Sequence, residues 1–141
     1  MIAQNGETSG AGGSAEECAV AKICEEMIEE ENKGAAAGCY FEDLLADCLC
    51  FRRATGEVAG KVGFICALEP NAQESERSLD GSVQVHIYGE VAVASLRVSV
   101  TPKSGDGSRK LFRNVRIFQR ASPGGNWKVQ MWFNAAIPPA A

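Results

Sequence analysis

The chain has 141 residues, 45% hydrophobic and 23% charged, which suits one globular domain with a proper core and is too short for two. A formal charge of −4 and a pI near 5.1 exclude the concentrated positive field of a nucleic-acid footprint. No apolar run approaches the length of a membrane span, so no membrane partner is expected.

The first six residues lack the basic and apolar regions of a signal peptide, and the Gly/Ser-rich stretch 1–13 reads as a disordered tail ahead of one domain, 14–138. The six cysteines, at 18, 24, 39, 48, 50 and 66, would make three disulfides only in an oxidising compartment. With no export signal they read as reduced thiols of a cytoplasmic protein. There is no Cys-x-x-Cys, and His86 is the single histidine, so neither a metal nor any other cofactor is expected.

Ser14-Ala15-Glu16-Glu17 is a capping-box sequence. Ala19, Val20, Ile23, Cys24, Met27 and Ile28 follow at three- and four-residue steps, opposite Glu16, Lys22, Glu25, Glu26, Glu29 and Glu30. That is an amphipathic helix whose glutamates form a solvated face, ended by Lys33-Gly34. A second helix is expected over 38–46, with Tyr40 or Phe41 and Leu44-Leu45 inward. A strand over 47–53, a turn at 54–57, a third helix over 61–68 ended by Pro70, and a polar loop over 71–81 complete the first half.

From 82 to 137 the period changes from helical to two, giving four antiparallel strands. Gly89-Glu90 links the first pair as a hairpin that sets Tyr88 opposite Val91 and His86 opposite Val93. One face then carries Gln84, His86, Tyr88, Val93, Ser95 and Arg97, and the other carries Val85, Ile87, Ala92, Ala94, Leu96 and Val98. Strands over 109–120 and 127–137 follow, separated by Ser122-Pro123-Gly124-Gly125.

This order, together with Leu45-Ala46-Asp47-Cys48-Leu49-Cys50-Phe51, Thr55-Gly56-Glu57-Val58-Ala59-Gly60-Lys61, Gly89-Glu90-Val91-Ala92-Val93, the run from Phe112 through Arg116 to Arg120 and Gly125-Asn126-Trp127-Lys128-Val129, resembles the nuclear-transport-factor-2-like superfamily. It is most similar to the SnoaL-like branch and to the association domain of calcium/calmodulin-dependent kinase. The resemblance implies an α+β cone, in which a curved, mainly antiparallel sheet wraps three N-terminal helices around a pocket. It implies no particular activity, because fold does not fix chemistry.

The resemblance matches Arg116 to an arginine pointing into the pocket, and parity adds Asn114 and Phe118 from its strand and Trp127, Val129, Met131 and Phe133 from the last. With Tyr40, His86, Tyr88 and Arg97, this makes a mostly apolar cavity whose arginines suit a small organic anion or aromatic ligand. Against that stands a plainer reading, in which strand-end arginines snorkel to water and His86 is a satisfied sheet histidine. An enzyme of the ketosteroid isomerase, polyketide cyclase or epoxide hydrolase type is the alternative, and it needs an inward carboxylate. The sheet's inward set has none, so only Asp43 or Asp47 could supply it. A dimeric structural or interaction module is the third reading. A homodimer is expected through the opposite sheet face, formed by Val85, Ile87, Leu96, Val98, Val115, Ile117, Gln130, Trp132 and Asn134.

Overall fold

The computed structural model describes residues 14–105 and 107–139; the expected tail, 1–13, lies outside the described residues. Helix α1 spans Ala15–Glu31 and opens with the expected capping box. Ser14 Oγ accepts from the Glu17 amide at 3.1 Å, and a Glu17 carboxylate oxygen accepts from the Ser14 amide at 2.9 Å. A 3-10 turn, Gly34–Ala37, leads into α2, Gly38–Leu44. Gly34 adopts φ +67°, and a Cβ there would lie 2.5 Å from a Glu69 carboxylate oxygen that already accepts from the Ala35 amide.

Strand β1, Leu45–Arg52, and the two-residue β2, Val58–Ala59, precede α3, Lys61–Cys66, and α4, Leu68–Glu74. The expected third helix is thus divided at Ala67, and Pro70 does not end it. Pro70 sits in the first turn of α4, where its missing N–H would have had no helical partner. The stretch read as a polar loop instead holds the end of α4 and then β3, Ser75–Leu79. Strands β4 (Gln84–Tyr88), β5 (Val91–Pro102), β6 (Lys110–Gln119) and β7 (Lys128–Ile137) complete the sheet.

Among the described residues seven strands run β2-β1-β7-β6-β5-β3, with β4 also paired to β5 and only β1–β7 parallel. The sheet is curved and unclosed, and the helices cover one face. This is the α+β architecture expected from the shift in periodicity.

Which residues face the helices is decided by register. Across β5 and β6, Ala92 pairs with Phe118, Ala94 with Arg116 and Leu96 with Asn114; from β4, Val85 pairs with Ala94 and Ile87 with Ala92. Cross-strand partners share a face. Ala92, Ala94, Leu96, Val98, Asn114, Arg116 and Phe118 are all buried, so this is the helix-facing side. The uniformly apolar face of β4 and β5 is therefore core, which corrects the assignment of Val85, Ile87, Leu96 and Val98 to a subunit interface. His86, Tyr88 and Arg97 take the outer face with Val93, Val115 and Ile117.

Strand β7 breaks strict alternation. The partner of Ile117 is Met131, but that of Phe118 is Val129, so Gln130 has no cross-strand partner. This β-bulge lets Val129 and Trp132, three apart, both face the helices. Beyond it, Met131 and Phe133 turn outward, opposite Ile117 and Val115, while Trp132 and Asn134 turn inward, opposite Arg116 and Asn114. Each of these four assignments reverses the expectation, because one extra residue flips every later side chain.

The core is stitched by aromatic edges. Phe41 meets Phe64 at 5.1 Å, Phe64 meets Phe51 at 5.0 Å and Trp132 at 4.9 Å, and Phe51 meets Trp132 at 5.0 Å. This cluster holds α2 and α3 against β1 and β7. At the other end, Arg120 donates to Glu90 and pairs with Glu16, both at 2.6 Å, with its guanidinium 4.3 Å from the Trp127 ring centre. That contact pins the start of α1 to the β4–β5 turn.

A carboxylate placed at the buried Leu96 meets no water, so Leu96→Asp is expected to lose more than about 4 kcal/mol and unfold. Val115→Asp, on the outer face, should keep the native circular dichroism spectrum and a cooperative melt. A folded Leu96→Asp variant would show that the register described here is wrong.

Candidate functional site

The helix-facing side of the sheet carries an unusual set of polar groups under α1. Arg116 is fully buried, although it ends a side chain whose charge favours water. Its Nη1 donates to the Cys24 carbonyl at 3.2 Å and lies 3.5 Å from Met27 Sδ, and its Nη2 donates to Asn114 Oδ1 at 2.9 Å. The guanidinium carbon stands 4.4 Å from the Trp132 ring centre. Asn114 Oδ1 also accepts from Trp132 Nε1 at 3.0 Å, so one amide oxygen orients both the cation and the ring beneath it.

Those contacts leave Arg116 Nε buried without a hydrogen-bond partner, and Asn134 Oδ1, beside Asn114, is likewise buried and unpartnered. Among the described residues no carboxylate forms an ion pair with Arg116. A buried charge lacking its counter-ion is costly unless something else compensates it.

A second inward arginine comes from β3. Arg77 pairs with Val100, two residues from the pairing of Leu79 with the buried Val98, so its side chain shares the helix-facing side. Its Nε lies 3.6 Å from Glu31 at the end of α1, both side chains are largely buried, and Arg77 Nη1 is buried without a partner. Burial pushes the Glu31 carboxyl above the ordinary carboxylate range, against the pull of Arg77 and, more weakly, of Arg116. The geometry is fixed by Asn32, which ends α1. Its side-chain amide donates to the Arg77 carbonyl and accepts from the Arg77 amide, both at 2.8 Å, as a neighbouring strand would.

Tyr40 closes the set. It is half-buried, packs edge-on to Phe41 at 5.1 Å, and its hydroxyl is pushed well above its usual range by burial, reinforced by the charges of Glu26 and Glu30. The Cys24 thiol is also pushed up by burial, with Arg116 opposing.

The expected site residues thus divide. Asn114, Arg116 and Phe118 face the helices, Trp127 is buried beside Arg120, and Tyr40 borders the same interior. His86, Tyr88 and Arg97 do not join them. His86 and Tyr88 stack on the exposed outer face with ring centres 6.4 Å apart, and Arg97 pairs with Asp80 at 3.0 Å. Met131 is exposed, and Phe133 is half-buried on the outer side. From the expected interface set only Val115 and Ile117 are half-buried outer residues, while Gln130, at the bulge, accepts from the Cys48 thiol at 3.2 Å. Asp43 and Asp47 are both fully exposed and bonded to Lys128 and Lys61, so neither supplies the inward carboxylate that an enzyme would need.

Arg77 and Glu31 were not foreseen. Glu31 continues the buried series Val20, Cys24, Met27 at helical steps, a signal present in the sequence. Arg77 had none, because it lies in the stretch read as a loop.

No known family profile matches the chain, and no curated protein matches it. Solved structures do. A conserved protein from Planctomyces limnophilus is 25% identical with a TM-score of 0.70, over 89% of this chain and 98% of that one. A nuclear transport factor 2-like superfamily protein from Salmonella enterica is 15% identical with a TM-score of 0.72, over 88% of this chain and 92% of that one. The association domain of CaMKII from C. elegans is 12% identical with a TM-score of 0.67, over 86% of this chain and 95% of that one. No helix among the described residues is long and apolar enough to cross a membrane. Helices on one face of a curved sheet, in this strand order and with these structural neighbours, identify the chain as having the nuclear-transport-factor-2-like fold.

Proposed function

We propose that this protein binds a small organic anion, carboxylate-bearing and partly aromatic, on the helix-facing side of its sheet. The observation that carries the reading is a charge imbalance. Two inward arginines, the fully buried Arg116 and the largely buried Arg77, face one interior carboxylate, Glu31, which pairs with Arg77 alone, and each arginine retains a buried nitrogen without a partner. An anionic oxygen is the complement of an unsatisfied guanidinium N–H. Asn114, Tyr40, Phe118 and Trp132 supply the orienting amide and the apolar walls. In this reading the protein acts in the cytoplasm, where its six cysteines stay reduced, and it belongs to the SnoaL-like branch of its fold.

Glu31 favours a second, catalytic reading, since an inward carboxyl whose proton affinity is raised by burial is a candidate general acid in isomerase- or cyclase-type chemistry. Under that reading Glu31→Gln keeps ligand binding and loses turnover.

The association-domain neighbour gives this fold an oligomeric precedent. We infer a homodimer through the outer sheet face, where Val93, Val115, Ile117 and Phe133 are half-buried and Met131 is 37% exposed. Val115→Asp should then halve the mass found by sedimentation equilibrium at micromolar concentration. An unchanged mass, or a monomeric wild type, rejects this interface.

A ligand at 100 times its Kd stabilises the native state by about 2.7 kcal/mol, a shift of several degrees in Tm for a domain of this size. Substituted benzoates should give such a shift with the wild type. Arg116→Gln should abolish it, and Arg77→Gln, which removes a less buried group and guards against unfolding, should reduce it at least tenfold in apparent Kd. If both folded variants respond as the wild type does, the arginines are not the anchors.

The charge argument also fixes a pH dependence. Glu31 titrates higher in the folded chain than in the unfolded one, so the native state takes up its proton first and gains stability as pH falls. The gain begins as pH drops through the raised folded value and is complete below the ordinary carboxylate range. The Tm of the wild type relative to Glu31→Gln should therefore rise as pH falls toward and through the ordinary carboxylate range. The opposite slope would mean that Glu31 is held ionised, leaving less positive charge for a ligand.

A further inference from the structure

The outer face carries a polar cavity that the reading above does not use. One edge of β5 is shared by two strands: β3 reaches it as far as Leu79 opposite Val98, and β4 resumes with Gln84 opposite Ser95. Residues 80–83 bridge the gap, so Leu96 and Arg97 have no strand partner on that side beyond the bond from the Asp80 amide to the Arg97 carbonyl at 2.9 Å. Gly81 makes the crossing with φ +91°, a conformation that L side chains avoid. The break opens a cavity of about 350 Å³ whose polar lining comprises Asp80, Ser82, Gln84, Ser95, Arg97 and Arg113.

The charges in this cavity are not balanced from within. Arg97 and Arg113 are direct cross-strand partners on β5 and β6, and like charges so placed repel. Asp80 lies 3.0 Å from Arg97 Nη2 and neutralises one of them. Arg113 forms no ion pair or side-chain hydrogen bond among the described residues. Two forked donors on adjacent strands, with the hydroxyls of Ser82 and Ser95 and the amide of Gln84 around them, are the groups that recognise a tetrahedral oxyanion. A chain with a net charge of −4 has no general attraction for anions, so such recognition has to be local.

We propose that the cavity at the β3–β4 break is a phosphate-binding site, with Arg97 and Arg113 as its cationic donors and Ser82 and Ser95 as its neutral ones. The cavity exceeds the volume of one water, about 30 Å³, roughly tenfold, so a phosphate monoester carrying a small organic group fits as well as the free ion. Asp80 competes with the ligand for Arg97, which sets the affinity below what two free arginines would give. The site lies on the opposite side of the sheet from Arg77 and Arg116 and stands independently of them.

The test is a titration of the full chain with inorganic phosphate and, separately, with phenyl phosphate, at constant ionic strength in chloride, followed by backbone amide NMR shifts. Shifts centred on Gly81, Ser82 and Arg97 are expected, with tighter binding of phenyl phosphate if a monoester is the natural occupant and equal binding if it is the free ion. Arg113→Gln should weaken binding at least tenfold, and Asp80→Asn should tighten it severalfold by freeing Arg97. Lys22→Gln, on the solvent face of α1, should leave it unchanged. Binding that survives Arg113→Gln, or an absence of saturable shifts with either anion, overturns the proposal. So does an Arg113→Gln variant that changes sedimentation but not phosphate affinity, which would assign these arginines to contacts between copies of the chain.

Discussion

The interior of this protein is built around a cation that it cannot hydrate. Arg116 sits on β6 beneath α1, stacked on Trp132 and held by one amide oxygen, that of Asn114, which also receives the indole N–H. Three side chains on two strands thus fix one another. Stacking on an aromatic face is worth up to about 2 kcal/mol when desolvated, and a charge-assisted hydrogen bond about 1.5–3 kcal/mol. These terms offset only part of the desolvation of a guanidinium, whose effective penalty is several kcal/mol. What remains is a standing preference for negative charge in the interior, and Glu31, itself short of water, meets it only in part.

The elements around that cation are arranged to place it. Ala94, directly opposite Arg116, and Ala92, opposite Phe118, are small, which leaves space on the sheet for the side chains of α1 that cross it. Val20, Cys24 and Met27 fill that space, and Cys24 contributes a backbone carbonyl to the guanidinium. The bulge at Gln130 brings Trp132 under the cation; with regular alternation from Val129, the ring would have faced outward. Asn32 then ties the last turn of α1 to β3, bringing Arg77 and Glu31 to the same interior. Each device acts on the backbone, and its result is the position of a charge.

The outer face follows a different logic. Its middle is apolar and half-buried, with Val115, Ile117 and Phe133 side by side, and its margin at the β3–β4 break is charged. An apolar centre with a polar rim is the usual anatomy of a protein–protein contact surface. The two faces of one sheet therefore hold arginines for different reasons. Those inside are buried by the helices, whereas Arg97 and Arg113 stay in water beside a gap in strand pairing.

By itself the sequence determined the elements whose signals are local. The capping box at Ser14, the helical steps from Val20 to Met27, the hairpin at Gly89-Glu90 and the two-residue alternation of β4 to β6 were all legible, because each depends on neighbours within a few residues. So was the α+β class, from the order of those periods. Alternation also divided β4 and β5 correctly into two faces, and the uniformly apolar one is the core face. The expectation turned it outward by placing His86, Tyr88 and Arg97 beside Arg116, and pairing with β6 corrects this: Ala94, not Ser95 or Arg97, lies opposite Arg116. The bulge in β7 was invisible for a related reason. Trp127, Val129, Met131 and Phe133 alternate without fault, and the extra residue shows only when β7 is laid against β6. β3 was read as loop because Ser75-Glu76-Arg77-Ser78-Leu79 is polar; it is a strand because β5 offers a free edge and Asn32 holds Arg77 to it. Local chemistry chose the elements, but long-range pairing chose their faces, and the site depends on the faces.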